Sequence, residues 1–324
     1  MKQIVYHQFG DPARVLEVLE KDAVTLKAGQ ARVEVLRAPI NPSDVIQVAG
    51  QYGVMPDLPA VAGNEGLGRV TEVNGDGIAV GQLVLLPAGA GTWVSEVVAD
   101  IHTLAAMPEG DLDQLAMLTV NPATAHLLLT DFVDLKEGDW VIQSAANSAV
   151  GNYVVQLAKA KGIKTACVVR RDSAVAEMEE VGADAVLVDG PDLAKRVRQA
   201  AGAKMKLALD AVAGETFGHL AETLEQGGTL VNYGAMSMQP ISMPALNLIF
   251  NDIRVRGFWL VHWFSNASKE ERMQVYGSLT QAVANGTLHA PIDRHFSLDE
   301  IAEAVTYTMA GERKGKVLLA PNGM

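Results

Sequence analysis

The sequence predicts an α/β protein: a doubly wound parallel sheet of the Rossmann type, set inside a β-rich, partly barrel-shaped domain. Three observations predict it. From about residue 139 to 258, short apolar runs alternate with segments of helical periodicity, the pattern of a parallel sheet covered on both faces. Six such runs occur there, the complement of a complete dinucleotide fold. Residues 1 to about 120, by contrast, are short β-type runs separated by Gly, Pro and Asp turns, which reads as antiparallel and barrel-like.

In chain order, MKQIVYHQFG reads as a first strand, and ARVEVLRAPI, GRVTEV and QLVLLPA as further strands of the N-terminal domain. The strands of the parallel sheet are expected at Trp140 to Ala145, Thr165 to Val169, Ala185 to Val188, Leu207 to Asp210, Thr229 to Tyr233 and Val255 to Phe258. Between them, NYVVQLAKAKG and SAVAEMEEVG carry helical spacing, the second closing at Gly182 as a C-cap. After Phe258, MQVYGSLTQAVANG and SLDEIAEAVTYTMAG are helices. Ser297 and Glu300 form the capping box of the latter, and GKVLLA is a closing strand. The expected organisation is a catalytic domain over 1–121, a nucleotide domain over 122–260, and the returning part of the catalytic domain over 261–324.

The length of 324 residues fits two domains. A hydrophobic fraction of 49% supplies sizeable cores and argues against disorder. No apolar run approaches the roughly 18 residues that cross a bilayer, and the opening residues resemble neither a signal nor a transit peptide, so the cytoplasm is the expected compartment. A net charge of −12 without a basic run excludes nonspecific nucleic-acid binding, which rests on Lys and Arg. The single Cys167 excludes an intrachain disulfide and any zinc site built on several thiolates.

The most chemically informative segment is DWVIQSAANSAVGNYVVQLAKAKGIKTACVVRRD. A strand ends, a turn of small residues follows (Ala146, Asn147, Ser148, Ala149, Val150, Gly151), and a helix begins. Pyrophosphate must approach N–H groups at a helix N-terminus, and only small side chains permit that. The usual pattern is G-x-G-x-x-G; here Ala146 and Ser148 stand at its first two glycines and only Gly151 remains. An ordinary βα turn would read the same. The next strand sharpens the reading. Arg170 stands 19 residues beyond Gly151, near the position that reads the ribose. A guanidinium there suits a 2′-phosphate, so Arg170, with Arg171 beside it, predicts NADPH; two solvated arginines are the alternative.

A metal is not expected. The N-terminal domain has no Cys, His7, His102 and His126 lack ligand spacing, Cys167 sits in the apolar run TACVV, and Asn64 beside Glu65 is a poor zinc ligand. A hydride acceptor needing no Lewis acid then fits, such as a C=C bond conjugated to a carbonyl, whose developing enolate needs only hydrogen-bond donors.

Taken together, INPSDVIQVAGQYGVMPDLPAVAGNEG, LTVNPATAHLLL, VIQSAANSAVG, VVRRD, GGTLVNYGAMSMQP and DIRVRGFWLVHW resemble the zinc-independent medium-chain dehydrogenase/reductase superfamily. They are most similar to its 2-enoyl thioester reductase branch, over essentially the whole chain. The resemblance implies a GroES-like catalytic domain and catalytic places for Tyr52, in the GQYG turn, and Trp259. The Tyr52 phenol would be set at the thioester carbonyl. It implies cofactor contacts from Asn41 and Asn121 near the nicotinamide, and from Asn147, Ser148, Ala149, Val150 and Gly151 at the pyrophosphate. Tyr233, Gly234, Ala235 and Met236 would follow the strand beside the nicotinamide, Phe258, Trp259 and Leu260 would wall its pocket, and Lys316 would reach it from the returning domain. For each a plainer use exists: turn formation before proline for the two asparagines, interface packing for Trp259, a solvated charge for Lys316. One departure stands out. The family's second basic residue follows an intervening acid, whereas Arg170 and Arg171 are adjacent, which places the role of Arg171 in question.

The expected activity is NADPH-dependent reduction of trans-2-enoyl thioesters, on CoA or a carrier protein, by hydride transfer to the β-carbon. Two other classes share these features: a zinc-free NADPH:quinone oxidoreductase, and a cofactor-binding protein without catalysis. The partner is a small-molecule acyl thioester or related enone or quinone, with neither nucleic acid nor membrane. The resemblance implies a homodimer, since members of the superfamily pair edge to edge at the strand that RVRGFWL matches, at the end of the nucleotide sheet.

Overall fold

The computed structural model describes every residue except Glu312 and Met324. The chain forms two compact units, one of Met1–Val120 with Ser278–Met324 and one of Asn121–Gly277.

The first unit contains β1 (Lys2–Tyr6), β2 (Glu17–Glu20), β3 (Gln30–Pro39), β4 (Ala60–Val61), β5 (Leu67–Asn74), β6 (Leu83–Leu85), β7 (Glu96–Asp100) and β8 (Ala105–Met107). The longest, β3, alternates in burial, with Ala31, Val33 and Val35 at 0% exposure, the period-two signature of a strand with one face on a core. Each such valine contributes about 1.5–3 kcal/mol. Strand β3 pairs antiparallel with β5 and β7. The chain end adds β15 (Ile292–Phe296) and β16 (Lys316–Leu319), the latter antiparallel to β3. The largest fully buried side chain, Trp93, lies in this core.

The second unit carries β9 (Trp140–Gln143), β10 (Lys164–Val169), β11 (Ala185–Val188), β12 (Met205–Asp210), β13 (Leu224–Asn232) and β14 (Arg254–Gly257). They form one sheet in the order β11-β10-β9-β12-β13-β14, every pair parallel. That is the 3-2-1-4-5-6 order of dinucleotide folds, which bind ligands beyond the carboxyl ends of the strands where the order reverses. The six expected strands are present, Ala185–Val188 with the expected bounds and the other five with shifted ends. Strand β9 stops at Gln143 rather than Ala145 because Ala145 turns to φ 47°, a left-handed value that ends an extended run. Strand β13 begins at Leu224, ahead of Gly227 and Gly228, residues that weaken any strand pattern. Gly182 caps its helix at φ 100°, and Ser297 with Glu300 forms the expected capping box. Among the described residues no helix is long and apolar enough to cross a membrane.

Candidate active site

In the second unit, β9 leads into a tight turn and then the helix Ala149–Ala160. Ser148 is the N-cap: its Oγ accepts from the Gly151 N–H at 3.1 Å. The Asn152 side chain donates to the Ser148 carbonyl at 2.9 Å. A helix leaves its first N–H groups without intrahelical partners, so those of Ala149 and Val150 suit an anion. Gly151 is required by contact: a Cβ there would stand 2.1 Å from the Ala146 carbonyl oxygen. This explains why two glycines of the usual pattern are replaced and the third is not. The first two positions tolerate small side chains, whereas the third sets the approach of helix to turn.

Arg170 directly follows β10 and is exposed, and Arg171 caps a short 3-10 turn, half-buried. Both therefore stand at the carboxyl end of the sheet.

Beyond β12 lies a cluster that sequence reasoning missed. The fully buried Asp210 carboxylate accepts four hydrogen bonds: from Ser144 Oγ at 2.7 Å, the Val212 N–H at 3.0 Å, the Ala213 N–H at 2.8 Å and Asn232 Nδ2 at 2.9 Å. It thereby ties the turn after β9 to the loops after β12 and β13. Tyr233, the next residue, donates its N–H to the Asp210 carbonyl at 2.8 Å. Its hydroxyl is shut off from solvent beside Ser148. Burial, and secondarily the charge of Asp210, push that phenol well above its ordinary pKa. Gly234 is held close to the loop after β12, since a Cβ would lie 2.8 Å from the Ala211 carbonyl oxygen. Ala235 and Met236, which follow, are both exposed. The Phe258 N–H donates to the Asn232 carbonyl at 2.9 Å, and its ring meets Phe132 edge-on at 6.0 Å. Trp259, 37% exposed, caps the helix opened by Leu260. Asn121, buried, opens the helix Asn121–Thr130, and Asn147 is half-buried in the phosphate turn.

In the first unit, Tyr52 lies half-buried in the turn after the helix Pro42–Val48. Gln47 Nε2 donates to the Val54 carbonyl at 3.1 Å, tying the loop to that helix, and Val54 and Leu58 are exposed. Asn41 has a larger role than turn formation. Its N–H donates to Asp44 Oδ2 at 2.7 Å, its Nδ2 donates to Glu65 Oε1 at 2.7 Å, and its Oδ1 accepts from the Lys316 ammonium. Asn64 Nδ2 donates to Asp44 Oδ1 at 2.7 Å, and the Val120 N–H donates to Glu65 Oε2 at 2.9 Å. Lys316 is thus buried in this network. Burial raises Glu65 to about 8, against the opposing pull of Lys316 and Asn41. Burial likewise lowers Lys316 to about 8, against the pull of Glu65. Asp44 is also raised by burial. The capping spacing of NPSD could have revealed Asn41 and Asp44. Glu65 and Lys316 are 251 residues apart in sequence and carry no such signal.

Residues 27–109 match the family of alcohol dehydrogenase GroES-like domains, and residues 149–275 match the zinc-binding dehydrogenases. The chain is 36% identical over 321 residues to the mitochondrial enoyl-[acyl-carrier-protein] reductase of Rattus norvegicus, covering 95% of this chain and 86% of that one. It superposes on the Etr1p/NADP/crotonyl-CoA complex with TM-score 0.89 at 27% identity, covering 98% of this chain and 99% of the other. The mitochondrial 2-enoyl thioester reductase Etr1p/Etr2p heterodimer of Candida tropicalis gives TM-score 0.86 at 29% identity, with 98% and 99% covered.

Proposed function

The chain belongs to the 2-enoyl thioester reductase branch of the medium-chain dehydrogenase/reductase superfamily, and from that premise we propose that it reduces the C=C bond of trans-2-enoyl thioesters with NADPH. The observation that carries this is the end-to-end likeness to enoyl thioester reductases, one of them described as a complex with NADP and crotonyl-CoA. The residues of the second unit fit the cofactor. Gly151 closes the turn onto the helix as a pyrophosphate site requires, and Arg170 offers a guanidinium for the 2′-phosphate.

NADPH, when bound, supplies the hydride. Asn147 to Gly151 would hold the pyrophosphate, and Arg170, with Arg171 beside it, the 2′-phosphate. Asn41, Asn121 and Lys316 would bind on the nicotinamide side, and Tyr233 to Met236 with Phe258 to Leu260 would wall it. The Tyr52 phenol would donate to the thioester oxygen on which negative charge develops, and Trp259 would wall the nicotinamide.

Steady-state kinetics with a chain-length series of trans-2-enoyl-CoA tests this reading. Tyr52→Phe should lower kcat/KM by about 10²–10³ while leaving the Kd for NADPH unchanged. Equal kcat/KM for the two proteins removes Tyr52 from the mechanism. Faster turnover of a naphthoquinone than of crotonyl-CoA assigns the protein to the quinone reductases instead.

Homodimerisation through β14 is part of the proposal. All four of its residues are exposed, and the adjoining helix Ala245–Asn251 buries none of its side chains, leaving Ile249 and Phe250 at 68% and 69% exposure. An apolar surface beside an open strand edge favours a second copy. A monomeric mass by light scattering would refute it. A cytoplasmic location is proposed on the lone, buried Cys167, which suits a reducing compartment; cell fractionation tests it.

A further inference from the structure

Residues 51–59, the segment that carries Tyr52, include no buried side chain. A segment without an apolar anchor opens at little cost, whereas a catalytic donor must be held to within about 0.5 Å. Hydrogen bonds therefore have to fix this turn, and they come from the helix Pro42–Val48. Ahead of Tyr52, the Gln51 N–H donates to the Ile46 carbonyl at 3.0 Å. Beyond it, the Val54 carbonyl accepts from Gln47 Nε2 at 3.1 Å. Tyr52 is thus bracketed by bonds to two consecutive residues of one helix. The first bond joins backbone to backbone and is open to almost any residue; the second needs an amide at position 47.

Gln47 is itself oriented from behind. Its Oε1 accepts from Asn64 Nδ2 at 3.3 Å, and the same nitrogen donates to Asp44 Oδ1 at 2.7 Å. Asp44, 1% exposed, accepts the Asn41 N–H on its other oxygen. With Oε1 turned to the Asn64 amide, Nε2 faces the Val54 carbonyl. A flip of the Gln47 amide would set donor against donor at one end and acceptor against acceptor at the other. A buried carboxylate thereby reaches, through two amides, to an exposed turn.

We propose that Gln47 is the positioning residue for Tyr52, with Asn64 and Asp44 fixing which end of its amide meets the turn. This rests on reading Tyr52 as the donor to the thioester oxygen, and adds to that reading the side chain that holds the donor in place.

The test uses two variants at position 47. Gln47→Met keeps an unbranched side chain and removes both polar atoms. Gln47→Glu, ionised, keeps an oxygen for Asn64 but cannot donate to the Val54 carbonyl. With NADPH and crotonyl-CoA, each should lower kcat/KM by about tenfold, mainly through kcat, as for a misplaced catalytic group. The Kd for NADPH should stay within about twofold of wild type. In a Tyr52→Phe background, Gln47→Met should cost nothing further, because a residue that acts through the phenol has nothing left to position. A full additional loss in that background overturns the proposal, as does wild-type kcat in Gln47→Glu. A second readout needs no substrate: chymotryptic cleavage after Tyr52 in the ligand-free protein. In both variants its rate should rise about threefold to tenfold, the worth of one hydrogen bond closing the turn. An unchanged cleavage rate overturns the proposal whatever the activity. Wild-type protein that turns over no enoyl thioester refutes the reductase reading instead, and the cleavage rates still decide whether Gln47 holds the turn.

Discussion

Replacing Gly151 by alanine tests the geometric basis of the cofactor site. The added Cβ would begin 2.1 Å from the Ala146 carbonyl oxygen, 2.6 Å from its carbonyl carbon and 2.8 Å from its Cα. All three are backbone atoms, so no rotamer change relieves the overlap. The helix start and the turn must separate by about 1 Å before the contact is tolerable. Such overpacking costs about 2–3 kcal/mol, the upper part of the usual range, which for a unit of this size lowers Tm by about 4–12 °C. A displacement of about 1 Å in a positioning element also weakens function by up to about a hundredfold, so the Kd for NADPH should rise by one to two orders of magnitude. Differential scanning fluorimetry with and without NADPH reads both. Gly277→Ala is the control: a Cβ there meets nothing within 4 Å, and alanine favours the helix it lies in. A Gly151→Ala protein that melts within about 1 °C of wild type and binds NADPH within about twofold would refute the argument.

Arg170→Gln should weaken NADPH by about tenfold or more, the worth of hydrogen bonds to a charged group, and leave NADH unaffected; an unchanged NADPH:NADH ratio would deny Arg170 its role. Glu65→Gln should lower Tm, because Asn41 Nδ2 and the Val120 N–H donate to different oxygens of Glu65, the amide NH2 that replaces one of them cannot accept, and an unmet buried group costs about 1–3 kcal/mol. The same variant bears on pH dependence. A carboxyl whose folded pKa lies above its unfolded value binds more protons folded than unfolded. Its contribution is therefore present at low pH and is lost as pH rises from about 4.5 towards about 8. Wild type should lose stability across that window relative to Glu65→Gln, as followed by urea denaturation at several pH values; parallel curves would count against it.

Much of the fold was legible because it is local. Helix Ala149–Ala160 announces itself through a serine cap followed by Val154, Val155 and Ala158, buried on one face, and Gly182 ends its helix because a left-handed residue costs glycine nothing. Of the candidate site, the phosphate turn and Arg170 were readable by spacing, and Tyr52 and Trp259 by resemblance. What was not readable is the set of side chains that hold these in place. Asp210 closes a strand and carries no motif, and its partners Ser144 and Asn232 lie 66 and 22 residues away in the chain. Glu65 read only as a poor metal ligand's neighbour, and Lys316 as a residue reaching the cofactor, until the buried network around Asn41 joined them.

The sequence by itself determined the element types, the number of parallel strands, the small-residue turn and the basic residue beyond it, because each depends on neighbours within a few turns of chain. Only the tertiary structure decided which strand lies beside which, why a glycine is needed at Gly151 where Ala146 and Ser148 replace the other two of the pattern, and which polar groups pair with which. Those are facts of contact between atoms distant in sequence, where a few tenths of an ångström or one missing acceptor sets the energy, and no local pattern records them.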